Sequence, residues 1–412
     1  MNAFYGWLLN ATREQKRALL AASLGWMLDS MDVMLYALVL GPIQRDMHLS
    51  SAMSGVMMSA TLVSAAVGGI AFGWFADAYG RTRALTWSVL IYSVGTALCG
   101  FAHSPSELLA YRTFLGLGMG GEWASGAALV AETWGGEHRA KALAVVQSAW
   151  AIGYALGAAI VAVVLPHFGW RAVFFAGILP ALVTFWIRRS LHEPEEWQAR
   201  RKTGRKHEIT RPPLHSLFRG ALGRNLLICS SMNAAALVAY WGIFTWVPRF
   251  LSMPIAQGGR GLNIVDTSAW TIVIQLGTFV GYIAFGYIAS VFSHKRTYIT
   301  YLLLAAAFVP LFAFLRSPIA LLIVGPLVGF FGTGNFSGFS ILSSELFPTS
   351  VRGSAMGFAY NIGRIVSAAA PWAIGAISQS AGLSVALAFT AAGFLLAALI
   401  AFALPRTGDA YA

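Results

Sequence analysis

Twelve apolar runs, each about as long as a bilayer-spanning helix needs to be, follow one another with only short polar breaks. They lie near 18–41, 52–76, 84–102, 107–131, 141–165 and 169–187, then near 223–248, 267–291, 297–315, 318–343, 353–376 and 381–404. In hydrocarbon only helices and closed barrels satisfy every backbone N–H and C=O. Runs of this length therefore predict an all-α membrane protein with twelve transmembrane helices. Composition agrees. The 412 residues are 57% hydrophobic and 11% charged, against about 25% charged in soluble domains.

A net charge of +12 suits a nucleic-acid partner only when basic residues share one surface. Here they track topology instead. With a cytoplasmic N-terminus, about 21 of the 28 Lys and Arg fall on the cytoplasmic side and about five outside. Arg112 and Arg364 fall within spans. The expectation is a multi-pass protein of the cell inner (plasma) membrane, both termini cytoplasmic, with the lipid bilayer and no nucleic acid as partner. Phe4 to Leu20 reads as an amphipathic lead-in carrying Arg13, Lys16 and Arg17, not as a cleavable signal. Cys99 and Cys229 stand alone in apolar runs and read as core residues. The eight histidines form no nucleophile–base or metal-ligand pattern. A non-enzyme without metal or cofactor is expected, and a monomer.

Residues 188–222 are charged, contain Pro194, Pro212 and Pro213, and hold no spanning run. They read as a cytoplasmic linker between an N-terminal six-helix bundle (1–187) and a C-terminal one (223–412). The halves align internally at a single offset of 213. GWFADAYGRTR (73–83) matches GYIASVFSHKR (286–296), GGEW (120–123) matches TGNF (333–336), and ETWGGEHRAKA (132–142) matches ELFPTSVRGSA (345–355). Duplicated membrane halves commonly enclose a midplane site and rock around it.

Several polar residues sit inside spans, where each is costly. Asp29 and Asp32 share one face of the first span at i, i+3. Glu122 lies in the fourth, with Asn335 at the equivalent place in the tenth. Arg364 lies near the midplane of the eleventh, Asn361 three residues before it. Tyr36, Gln147, Trp150, Asn233, Tyr240 and Gln275 complete the set. Each of these last, like Asn361, is singly more often helix–helix glue or lipid-interface packing than a ligand contact, and snorkelling to the outer boundary is the other reading of Arg112. Together they outline a polar cavity.

The run G-x-x-x-D-x-x-G-R-x-R, here Gly73, Asp77, Gly80, Arg81 and Arg83, resembles the signature between helices 2 and 3 of the major facilitator superfamily. YRTFLGLGMGGEW resembles its helix 4 pattern. LGWMLDSMDVMLYALVLGPIQRDMHLS, GWRAVFFAGILPALVTFWIRRSLHEPEEW and YNIGR look like the branch of bacterial sialic acid transporters and fungal lactate permeases. The resemblance covers nearly the whole chain.

It implies alternating-access symport of a small organic anion, a monocarboxylate, with protons. Arg364 would hold the carboxylate, helped by Asn361, Gln147 and Tyr36. Trp150, Asn335, Gln275, Tyr240 and Arg112 would line the site. Asp29, Asp32 and Glu122 would couple protons, because neighbouring carboxylates in low dielectric do not ionise together easily. Which aspartate carries the proton stays open. Glu132, Arg139, Glu345 and Arg352 would join the helix 2–3 signature as an inner gate. Sialic acid transporters of the branch carry two extra central helices, whereas 188–222 is too polar to span, which points to a smaller acid. An aromatic-acid symporter and a proton-driven exporter remain alternatives.

Overall fold

Short polar side chains start these helices. In the computed structural model, which describes residues 7–134, 136–179, 181–182, 217–348 and 351–405, Thr12 accepts from the Gln15 backbone N–H. The Gln15 side chain in turn accepts from Thr12 N–H at 3.0 Å. This reciprocal cap opens α1 (Arg13–Leu38), which continues past Val39 as α2 (Leu40–Asp46). The two make span 1. Span 2 is α3 (Ser51–Tyr79), span 3 is α4 (Arg81–Cys99) and span 4 is α5 (Pro105–Thr133).

The long α6 (Gly136–Phe175) carries span 5 and the start of span 6, bent where Gly169 takes φ 74°. Most of the expected linker, 188–216, lies outside the described residues. Span 7 is α7 (Gly220–Phe244), prolonged by α8 (Val247–Ser252). Spans 8, 9 and 10 are α9 (Ile264–Phe292), α10 (His294–Phe314) and α11 (Pro318–Leu346). Span 11 is broken into α12 (Arg352–Ser367) and α13 (Ala369–Ala381), and span 12 is α14 (Leu383–Phe402).

Among the described residues, eight helical stretches are long and apolar enough to cross a membrane by length and composition alone. The remaining spans fall short for visible reasons. Span 6 is continuous with span 5 in α6. Span 11 is cut into pieces of 16 and 13 residues. The buried faces of α4 and α5 carry polar side chains such as Thr96, Arg112 and Glu122.

The 213-residue offset recurs in the backbone. Ser50 caps α3 and Asn263 caps α9, while Ser104 and Ser317 cap α5 and α11, each followed by a proline. Gly80 (φ 116°) and Ser293 (φ 81°) make the same turn, so the second copy holds a serine where glycine would be unstrained. Glycines also let spans touch backbone to backbone, as expected where lipid gives no hydrophobic drive between helices. A Cβ on Gly116 would lie 3.1 Å from the Thr61 carbonyl carbon, and one on Gly329 would lie 3.0 Å from Thr278 N. α3 thus lies along α5, and α9 along α11. Between the two sets of spans, α6 runs against α9 and α3 against α13.

Candidate functional site

The seam between the two sets of spans is closed at one end. This is the end farther from Arg13 and Phe402. There Arg249 Nε donates to Gln44 Oε1 at 2.8 Å, and Gln44 Nε2 donates to Ser54 Oγ at 3.1 Å. A Cβ on Gly55 would lie 2.6 Å from Trp372 Cα, and one on Gly375 2.9 Å from the Ser51 carbonyl carbon. Further in, Tyr154 Oη donates to the Phe244 carbonyl at 2.9 Å, and Trp150 Nε1 donates to Tyr240 Oη. Toward the end that holds the chain's entry and exit, the seam is more open among the described residues. Cβ atoms on Gly73, its repeat partner Gly286, and Gly357 would meet nothing within 4 Å.

Buried charge lies between these ends. Arg364 sits in the last turn of α12, 3% exposed. Its guanidinium is loosely held: Nη1 donates across the seam to the Ala65 carbonyl at 3.5 Å, and Nη2 to Tyr360 Oη at 3.4 Å. The Tyr360 ring lies under it, 5.0 Å from Cζ to centroid. Its field reaches Asp29 on α1 and Glu122 on α5, yet among the described residues no ion pair joins it to either. Both Asp29 carboxylate oxygens and Glu122 Oε2 are buried without hydrogen-bond partners. Glu122 fits because α1 has Gly25 beside it, where a Cβ would lie 3.2 Å from its carboxyl carbon.

Asp32, one turn along α1, belongs to a second group. Its Oδ2 accepts from Thr96 Oγ1 at 2.9 Å, and it feels Asp29 and Arg112. Arg112 does not reach the boundary of its span. It is fully buried, with Cζ 4.5 Å above the Tyr36 ring and Nη2 against Met58 Sδ, while Nε and Nη1 have no partner. Tyr36 Oη donates to the Ser54 carbonyl at 2.9 Å, so Tyr36 lies toward the closed end and away from Arg364. The two aspartates therefore have different neighbours despite their shared face.

Aromatic rings wall the space. Trp26 packs on Trp150 at 4.7 Å, Trp150 on Trp241 at 6.1 Å and Tyr240 on Phe336 at 5.5 Å. Gln147 is buried one turn before Trp150, and Gln275 is buried on α9. Asn361 Nδ2 donates to the Gly357 carbonyl at 2.9 Å, and its Oδ1 faces Gly69 across the seam. Asn233 Nδ2 donates to the Ala359 carbonyl. Asn335 turns back on its own helix, donating to the Phe331 and Gly332 carbonyls. Asp29, Glu122, Arg364 and Asn361 come together; Arg112, Tyr36 and Asn335 stand apart from them.

At the open end, Arg81 is buried and Arg83 and Arg139 are exposed. His294 Nδ1 lies 2.8 Å from Glu345 Oε1. Lys295 Nζ donates to the Phe402 carbonyl at 2.9 Å and to that of Leu404, tying α10 to the end of α14. The side chains of Asp77, Glu132 and Arg352, expected in the gate, lie outside the described residues. Tyr360 and Thr96 escaped the sequence reading. Tyr360 had a signal, standing four residues before Arg364 and so on the same helix face. Thr96 had none.

A twelve-span bundle, sealed at one end, with buried opposite charges on the seam, defines a membrane transporter rather than an enzyme. The chain belongs to the Major Facilitator Superfamily, whose sequence profile matches residues 22–262 and 250–410. It is 32% identical over 407 residues to the "Probable 4-methylmuconolactone transporter" of Cupriavidus pinatubonensis, covering 95% of this chain and 92% of that one. It is 30% identical over 405 residues to a sialic acid transporter of Escherichia coli, covering 97% and 96%. A crystal structure of a D-xylose–proton symporter superposes with TM-score 0.76 at 18% identity, over 96% of this chain and 99% of the other. The protein is therefore a multi-pass metabolite transporter. The near end-to-end match to a sialic acid transporter corrects one expectation: the polar 188–222 segment does not set this chain apart from such proteins.

Proposed function

We propose that the protein carries a small organic anion, a monocarboxylate, together with protons by alternating access. The observation that carries this reading is Arg364, a permanently charged fork buried on the seam, whose two hydrogen bonds among the described residues are both long. A ligand carboxylate supplies the two oxygens such a fork prefers. Relatives named for a sialic acid and a muconolactone support an organic acid as cargo.

The proton follows from charge balance. Unpaired ions in low dielectric cost several kcal/mol each, and Asp29 and Glu122 already face Arg364. When an anion takes Arg364, both carboxylates lose their counter-charge; a proton on Asp29 removes one of the two excess negative charges, and a proton on Glu122 removes the other. Asp29, whose two oxygens lack partners, suits that role better than Asp32, which has Thr96. Glu122 shares the same field. Asn361 and Gln147 supply polar contacts beside the anchor. Loaded with the anion and with both carboxylates protonated, the seam is neutral and closes around its cargo. The two six-helix bundles, 1–187 and 223–412 with 188–222 between them, rock about this point. The open end faces the cytoplasm of a cell whose inner membrane holds the protein as a monomer. The ring wall of Trp26, Trp150, Trp241 and Tyr240 favours, as a second reading, an aromatic acid over an aliphatic one.

Proteoliposomes test the proposal. Asp29→Asn abolishes accumulation driven by a pH gradient while leaving substrate counterflow measurable. Accumulation that persists in both Asp29→Asn and Asp32→Asn removes the proton site from α1. Undiminished substrate affinity in Arg364→Lys removes the anchor.

A further inference from the structure

A second cavity lies well away from Arg364, where the chain first meets the bundle. It is a cleft of about 370 Å³ lined by Trp7, Asn10, Ala11, Gln15, Trp134, His138 and Lys141. Its walls are fixed. Lys16 Nζ donates to the Leu9 carbonyl at 2.8 Å and folds the lead-in back over the start of α1. Gln15 Nε2 donates to the Thr133 carbonyl at 3.2 Å, and Trp134 Nε1 to the Gln15 carbonyl at 3.1 Å. Trp7 stands edge-on to Trp134, centroids 5.1 Å apart, and 6.1 Å from the His138 ring.

This framework leaves donors unused. His138 Nδ1 is buried with no hydrogen-bond partner. Lys141, three residues on and so on the same face of α6, is exposed at the mouth and makes no ion pair among the described residues. Asn10 adds an amide. None of the described lining residues carries a carboxylate. The cleft joins the start of α1, the end of α5 and the start of α6, so it sits at the headgroup level of three spans. Tryptophan favours that depth, and basic pockets there take lipid headgroups. Leu9 and Leu20, before and after the lining residues Asn10 and Gln15 in the chain, are both exposed and offer apolar surface.

We propose that this cleft binds a phosphate ester, the headgroup of an anionic phospholipid, between Lys141, His138 and Asn10, with the acyl chains running out past Leu9 and Leu20. The site depends on no part of the transport reading.

The full chain, purified and stripped of lipid, is offered phosphatidylglycerol or phosphatidylcholine, and retained lipids are counted by native mass spectrometry. The expected result is at least tenfold preference for phosphatidylglycerol, lowered in Lys141→Ala and abolished in His138→Ala with Lys141→Ala. Lys141 is exposed, so its single variant reads the site even if the double variant folds poorly. Equal retention of the two lipids, or a preference unchanged in Lys141→Ala, overturns the proposal. A separate arm offers glycerol 3-phosphate alone. Saturable binding of it that Lys141→Ala weakens, with no lipid preference, overturns the lipid source and leaves a soluble phosphate ester as occupant.

Discussion

Gly55→Ala tests whether the seam closes as described. The added Cβ would lie 2.6 Å from Trp372 Cα and 2.7 Å from the Pro371 carbonyl carbon, and closer still to the carbonyl oxygen. Carbon pairs rest at about 3.5–4.0 Å, so α3 and α13 must part by about 1 Å. The obstructing atoms are backbone, with no side chain to swing aside. Overpacking of this kind costs about 1–3 kcal/mol. The cost applies only while this end is shut, so it shifts the transporter between its two states rather than unfolding it. At 1.4 kcal/mol per tenfold, the opened fraction rises about 5- to 150-fold. A cysteine placed at Gly41, whose Cβ would lie 3.5 Å from Arg249 Nη1, reports the change through its rate of labelling by a membrane-impermeant maleimide. Native Cys99 and Cys229 are buried and give little background. Labelling should accelerate by that factor in Gly55→Ala. It should not change in Gly73→Ala on the same helix, where the Cβ meets nothing. Equal rates in all three proteins would refute the reasoning.

Gln44→Ala leaves Arg249 without its acceptor across the seam; at about 1–2 kcal/mol for such a bond, it should also speed labelling at Gly41→Cys, and an unchanged rate counts against the contact. Thr96→Val removes the hydroxyl that Asp32 accepts from. Stranding a buried acceptor costs about 1–3 kcal/mol, so the midpoint of thermal unfolding in detergent should fall, and no fall means that bond is absent. At the start of α5 the His103 backbone N–H donates to Glu107 at 2.8 Å and Ser104 caps the helix. Glu107→Ala leaves that N–H without its acceptor, so amide-exchange protection at Leu108 should weaken, and unchanged protection counts against the contact.

The span pattern was legible because hydropathy alone dictates it, and the repeat because both copies kept the same turn and cap positions. Gly80 announced its turn; Ser293 makes the same turn without announcing it, and only the 213-residue offset gave it away. The buried cations were visible as anomalies, but their surroundings were not. Asp32 and Thr96 are 64 residues apart, and nothing local pairs them. Arg112 reads from sequence as able either to snorkel or to bind, because its depth depends on how α5 packs against α3 and Tyr36. Asp29 and Asp32 share a helix face, yet a face does not fix which neighbour fills it. That was set by Gly25, which leaves room for Glu122 beside the first aspartate.

The division of span 11 has a consequence for how motion passes through the protein. Pro371 has no N–H to return to the carbonyl four residues earlier, and the helix is interrupted at Ala368. On one side of that joint, α13 is clamped to α3 and receives the Trp246 indole on the Pro371 carbonyl. On the other, Arg364 rides at the last turn of α12, where a Cβ on Gly357 would meet nothing within 4 Å. An unbroken rod would make any tilt at the anchor pry at the clamp. If Arg364 holds the cargo as proposed, a jointed one lets its arm settle onto a ligand while the far shutter stays latched, so the two doors need not move in the same instant.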